Sequence, residues 1–195
     1  MKERPILFNG AMVRAILAGQ KTQTRRVVKA QPFAKPHRVS VRPSGHIEWY
    51  DDNGVCYAGG KPCPFGVIGD RLWVRETFAV PPGSTEQAEA VYRASFDPGD
   101  VTWTPSIHMP RWASRITLTI TDVRVQRLQD ISEDEAVAEG IDEAIPPMND
   151  HGPANAPRWR FARLWNSING VGAWDTNPWV WAITFERLDG TLPAP

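Results

Sequence analysis

The sequence predicts an α+β fold made mainly of strands, a small β-barrel with helices at its openings. Three observations carry this expectation. Residues 115–125 set Ile116, Leu118 and Ile120 against Thr117, Thr119 and Thr121, the period of two that a half-buried strand requires. Residues 10–19 and 158–168 place apolar side chains at helical spacing. Eighteen prolines in 195 residues imply ordered loops rather than long helices.

Each element follows from local pattern. Met12, Val13, Ile16 and Leu17 form one face of a short helix that Gly19 is placed to end. Lys21 to Val28 reads as a polar turn running into a strand. Residues 29–65 read as irregular, broken by Pro32, Pro36, Pro43, Pro62 and Pro64, with a hairpin at Ser44-Gly45 pairing residues 38–42 with 46–50. Gly69-Asp70 turns the chain into an alternating strand over 71–78. A loop or short helix over 80–90 and a brief strand over 90–93 come next. The phase change to Val123 and Val125 predicts a bulge near Asp122. Ser132-Glu133-Asp134-Glu135 opens a helix that ends near Gly140, with the serine as cap and acids at the positive end of the dipole. Residues 142–156 read as a loop, 158–168 as an amphipathic helix with Phe161, Leu164, Trp165 and Ile168, and 179–188 as a closing strand. No repeat or linker divides the chain, so residues 1–195 are read as one domain with inserts near 29–65 and 140–157.

Lysine plus arginine (22) equals aspartate plus glutamate (22), which argues against a protein that coats a polyanion but leaves room for a local basic groove. Nine tryptophans imply both core packing and aromatic walls for a site. No window reaches membrane-spanning length and no secretory signal opens the chain, so the expected location is cytoplasmic, with Cys56 and Cys63 as reduced thiols. The cysteines with His37 or His46 match no compact zinc pattern, and no phosphate-cradling glycine loop is present; neither metal nor cofactor is expected.

The most informative stretch is Gly19-Gln20-Lys21-Thr22-Gln23-Thr24-Arg25-Arg26. With a strand starting near Thr22, Thr24 and Arg26 share a face, and Lys21 in the preceding turn can fold back toward Thr24. A hydroxyl beside an amine is the minimum for an activated nucleophile, provided burial lowers the amine's pKa. An exposed polar strand is the competing reading. Glu76 ends the apolar face Leu72, Val74, Glu76, where desolvation suits a carboxyl to acid or base work; a buried salt bridge, for instance to Arg26, would have the opposite effect. Ser106-Ile107-His108-Met109-Pro110-Arg111-Trp112-Ala113-Ser114-Arg115 offers groups that hold a phosphate and stack on a base, or equally a surface loop with one buried tryptophan.

Two of these blocks resemble a known family. Leu17-Ala18-Gly19-Gln20-Lys21-Thr22-Gln23-Thr24-Arg25-Arg26 is similar to the G-x-K-x-x-T-x-R signature of ASCH domains, and Gly69-Asp70-Arg71-Leu72-Trp73-Val74-Arg75-Glu76 resembles the family's second block. The chain looks most like longer ASCH-type proteins of tailed phages and prophages, including the Met109 to Arg115 block and the tryptophan-rich ending. The resemblance implies a PUA-like barrel that binds RNA or modified bases, acting in the cytoplasm of a bacterial host. Some small members remove the acetyl group from N4-acetylcytidine; their catalytic Lys, Thr and Glu fall on Lys21, Thr24 and Glu76, with the motif arginine on Arg26. Others are described as ribonucleases. The two inserts set this chain apart from the small amidohydrolases.

The leading expectation is therefore a monomeric hydrolase acting on an acylated or otherwise modified cytidine. Lys21, Thr24 and Glu76 would be catalytic, with Arg26, Arg75, His108, Arg111, Trp112 and Arg115 around the substrate. A noncatalytic binder of RNA, single-stranded DNA or a modified base comes second, and a protein-interaction module third.

Overall fold

A polar N-terminal segment, Glu3-Arg4-Pro5-Ile6-Leu7, forms the first strand, β1 (Glu3–Leu7). Asn9 then caps helix α1 (Gly10–Leu17) by accepting from the Met12 N–H, and the chain turns at Gly19 with φ of 73°. The computed structural model describes residues 1–32, 36–80, 90–96, 99, 101–141 and 156–188. The remaining strands are β2 (Gln23–Val27), β3 (Arg38–Val41), β4 (His46–Tyr50), β5 (Cys56–Pro62), β6 (Arg71–Arg75), β7 (Phe78–Ala79), β8 (Val91–Tyr92), β9 (Thr117–Arg127) and β10 (Trp179–Arg187). Helices α2 (Glu133–Ala138) and α3 (Pro157–Asn169) lie between β9 and β10 in sequence. The expected loops over 80–90 and 142–156 fall almost wholly outside the described residues.

The architecture is mixed α+β. Five strands form one sheet in the order β1-β6-β9-β10-β2, parallel between β1 and β6 and antiparallel elsewhere. Its edges are β1 and β2, and among the described residues no ladder joins them, so the hydrogen-bonded sheet does not close there into the barrel expected from the sequence. A side chain spans the gap instead: the Arg26 guanidinium donates to the Leu7 carbonyl at 2.7 Å. The bulge expected near Asp122 is present, since Thr184 pairs with Asp122 while Phe185 pairs with Ile120.

Strand β10 is buried along most of its length because both of its faces are covered. Trp179, Trp181, Ile183 and Phe185 join the main core with Leu72, Leu118 and Ile120. Val180 points the other way, into a second cluster with Leu128, Phe161, Trp165 and Trp174 beneath α2 and α3. Apolar side chains alternating to both sides of one strand are what a sheet with two covered faces demands.

The stretch read as irregular over 29–65 contains a three-stranded sheet, β3-β4-β5. The 38–42 and 46–50 pairing is as expected, but β5 adds a third strand, with register shifts, through Gly59, Gly60 and Pro62. Trp49 anchors this sheet to the main core: its ring meets Trp179 edge-on at 5.1 Å, and both are buried. Truncating Trp49 to alanine removes that anchor and leaves a void, so the expected loss is about 3–5 kcal/mol in urea unfolding.

Candidate functional site

Strand β2 reaches the sheet directly after the α1 turn, and its geometry decides which groups face outward. Phe185 donates to the Thr22 carbonyl and Val28 to the Trp179 carbonyl, so the even-numbered backbone groups face β10. Those of Gln23, Arg25 and Val27 face the free edge. Such an edge is normally blunted or covered. Here α2 covers it: the Thr22 N–H donates to the Ala138 carbonyl, and Lys21 pairs with Glu139 in a short antiparallel bridge.

Lys21 is 2% exposed, rare for a lysine, and its three donors meet three acceptors. The ammonium donates to the Gln23 carbonyl at 2.8 Å, the Glu139 carbonyl at 2.7 Å and Glu139 Oε2 at 2.9 Å. Glu139 Oε1 accepts from Arg25 at 3.1 Å, and Arg25 also reaches Gln23 Oε1 and Glu135 Oε2. Burial pushes the Lys21 pKa below its ordinary value, against the opposing pull of Glu139, with Arg26 and Arg25 adding repulsion. Burial likewise lowers Arg26.

Thr24 is buried at 2% exposure, and its hydroxyl carries no hydrogen bond among the described residues. It lines a cavity of about 70 Å³ with Arg25, Arg26, Glu139, Met12 from α1, and Phe161 and Leu164 from α3. That volume takes a few atoms; sites that engulf a small molecule have ~300–1,000 Å³. Larger grooves adjoin it. One of about 520 Å³ runs between α1 and the end of α2 and shares Met12 and Leu164 with the cavity. Another of about 460 Å³ shares Val27, Trp165 and Asn169.

The structure thus brings Thr24 and Arg26 to one cavity wall with Glu139, while Lys21 is not among the residues lining it and has the carboxylate of Glu139 rather than that of Glu76. Glu76 is 1% exposed and takes both guanidinium arms of Arg115, at 2.9 and 3.0 Å. The buried salt bridge weighed for Glu76 is therefore present, with Arg115 as its partner in place of Arg26. Phe8 links the two regions. Its N–H donates to the Arg75 carbonyl, while its ring has Lys21 Nζ at 5.5 Å and the Arg26 guanidinium at 5.3 Å.

The other expected substrate contacts occupy a separate face. Arg75 and Arg111 both lie over Trp73; Arg75 donates to the Met109 and Ile107 carbonyls, and Arg111 pairs with Glu3. Arg115 stacks on Tyr92 at 4.0 Å. His108 is exposed, and so is Trp112, at 57%, so the alternative reading of that block as a surface loop with one buried tryptophan does not hold for Trp112. Ser114 is buried and donates to the Val74 and Ile116 carbonyls, a structural tie. Cys56 is an exposed and Cys63 a buried free thiol; no group of three or more metal-ligating side chains gathers among the described residues. No helix among them is long and apolar enough to cross a membrane.

The residue missed in the sequence is Glu139. A signal existed: an acid at the C-terminal end of a helix opposes the dipole, so it needs a cationic partner to be stable there. Gly140, with φ of 68°, lets the chain leave α2 against this cluster. A Cβ there would stand 2.6 Å from Lys21 Cβ and 2.9 Å from Ala15 Cβ. Gly140→Ala is expected to destabilise the fold by about 2 kcal/mol or more in chemical denaturation, from strain and overpacking together.

Lys21 also sets a pH dependence. Its folded pKa lies below the unfolded 10.5, so between the two the unfolded chain binds more protons. Stability of the wild type relative to Lys21→Met is therefore expected to rise with pH across that window, read from urea midpoints between pH 7 and 10.5. A flat difference would mean that Lys21 does not titrate below its ordinary range. Compared with family models, curated proteins and solved structures, the chain gives no match.

Proposed function

We propose that the chain is an ASCH-type protein with a PUA-like core, of phage or prophage type, which hydrolyses the acyl amide of a modified cytidine such as N4-acetylcytidine in the cytoplasm of a bacterial host. The observation that carries this reading is Thr24: a residue only 2% exposed, with no hydrogen bond to its hydroxyl among the described residues, lining an acetyl-sized cavity with Glu139, the partner of buried Lys21. A strand that merely fills space has no use for such a group.

In this reading the three acceptors around Lys21 hold it as an ammonium at rest. Transfer of one proton to Glu139 Oε2, to which Lys21 Nζ already donates at 2.9 Å, produces the neutral amine. The Thr24 hydroxyl attacks the acyl carbonyl and gives its proton to Lys21. The oxyanion is stabilised by the Arg26 guanidinium and by the Arg25 N–H at the free strand edge. On collapse the departing N4 amine takes the proton back from Lys21, and water then clears the acyl group from Thr24. Glu76, whose two carboxylate oxygens both accept from Arg115, would accept a hydrogen bond from a cytosine amino edge.

The second reading, a noncatalytic binder of a modified base or single-stranded nucleic acid, is favoured by the saturation of Lys21, whose donors are all in use. Chromatography of N4-acetylcytidine after incubation with the protein separates the two. Hydrolysis predicts cytidine, absent with Thr24→Val at preserved melting temperature. In Glu139→Gln, Lys21 must lose its proton to solvent, so the rate is expected to rise with pH along a limb set by Lys21, whose pKa falls without the carboxylate that raises it. No cytidine at high protein concentration would leave the binding reading.

A further inference from the structure

Where β2 leaves the sheet, a second cavity of about 230 Å³ opens between the segment after that strand and β5. It meets the Thr24 cavity only through Val27. Val28, Ala30, Pro62, Phe65 and Trp181 give it apolar walls, and the prolines among its lining residues lack backbone donors. The walls are fixed by local hydrogen bonds. Gln31 donates to the Val28 and Trp179 carbonyls and accepts from the Trp179 N–H, while Cys63 donates to the Gly45 carbonyl. A site held in this way loses little entropy when a ligand arrives.

The charged groups of this cavity are Lys29 and Lys61, both exposed, and no acidic residue lines it. Neither lysine makes a hydrogen bond or ion pair among the described residues, whereas most arginines of the chain are held by carboxylates or carbonyls. Two uncompensated ammoniums beside an aromatic and aliphatic slot are complementary to one ligand chemistry. We propose that this cavity binds a small organic anion with a flat apolar body, its rings against Phe65 and Trp181 and its carboxylate or sulfonate toward Lys29 and Lys61. The volume lies just below that of sites for drug-sized ligands, ~300–1,000 Å³, which limits the body to one or two fused rings. The proposal is independent of chemistry at Thr24.

The test is titration of the full chain with 2-naphthoate, followed by amide and indole N–H resonances. The expected result is a saturable shift centred on the Trp181 indole and on Ala30 and Lys61, weakened about two- to fivefold by each of Lys29→Gln and Lys61→Gln. Uncharged 2-naphthol binds more weakly, and Thr24→Val binds like the wild type. Ala30→Trp, at an exposed position on the rim, fills the slot and removes binding while the melting temperature holds. The absence of a saturable shift, equal affinity for naphthol and naphthoate, or undiminished binding by Ala30→Trp would each overturn the proposal.

Discussion

The ion cluster of Lys21, Glu139 and Arg25 governs how this molecule is assembled around β2. Three charged side chains lie within a few ångströms at 2–3% exposure, and taking each from water costs several kcal/mol before any attraction is counted. The cluster persists because desolvation is met at nearly every polar atom, Arg25 Nε being the exception. Glu139 uses both carboxylate oxygens, and Lys21 uses all three protons. Apolar residues of similar volume could fill the same space at no loss of stability, but they would not fix the end of α2 against a strand edge in one register. The polar core thus specifies a position, and Thr24 is carried to its place by it.

The same edge explains why the sheet can remain open. A free strand edge exposes a row of backbone donors and acceptors that would pair with another chain. Gln23 hands its carbonyl to Lys21, and Thr22, at the start of the strand, docks on Ala138. At the far end Arg26 reaches across to Leu7 on the opposite edge strand. Side chains thereby accomplish what a closing ladder would do in a barrel, while a small volume stays empty beside Arg25 and Thr24. A fully closed ladder would have consumed the backbone groups that the proposed oxyanion site uses.

Elements with strong local rules were legible in the sequence. Alternation set β6 and β9, the serine and glutamate of the capping box set α2, and Gly19 ended α1 near where its conformation requires. What escaped depends on partners distant in sequence. β1 carries Glu3, Arg4 and Pro5, and it is a strand because β6 offers a ladder, with Arg111 and Arg71 neutralising Glu3. β5 contains Gly59, Gly60 and Pro62, all poor strand formers; Gly60 is tolerated because a larger residue would strike Ile47. That Thr24 and Arg26 share a face was legible because they are two residues apart on one strand. The pairings of Lys21 with Glu139, 118 residues away, and of Glu76 with Arg115, 39 away, were not. Local spacing holds no record of contacts made by folding.

The size of the Thr24 cavity constrains any substrate in a way that the motif alone does not. At about 70 Å³ it admits an acyl group and excludes a nucleobase. The base would therefore lie outside it, in the groove of about 520 Å³ that adjoins it at Met12 and Leu164. Met12 is the adaptable member of that divide, since an unbranched thioether moves between rotamers at little cost. Leu164 is set by the register of α3, which the buried Phe161 and Trp165 fix against Trp174. A ligand entering from the groove thus displaces Met12 rather than the helix, and selection falls on the width of its acyl group. Under the proposed hydrolysis a formyl or acetyl group would pass, and a bulky aromatic acyl group would meet Phe161 and the fixed wall of α3.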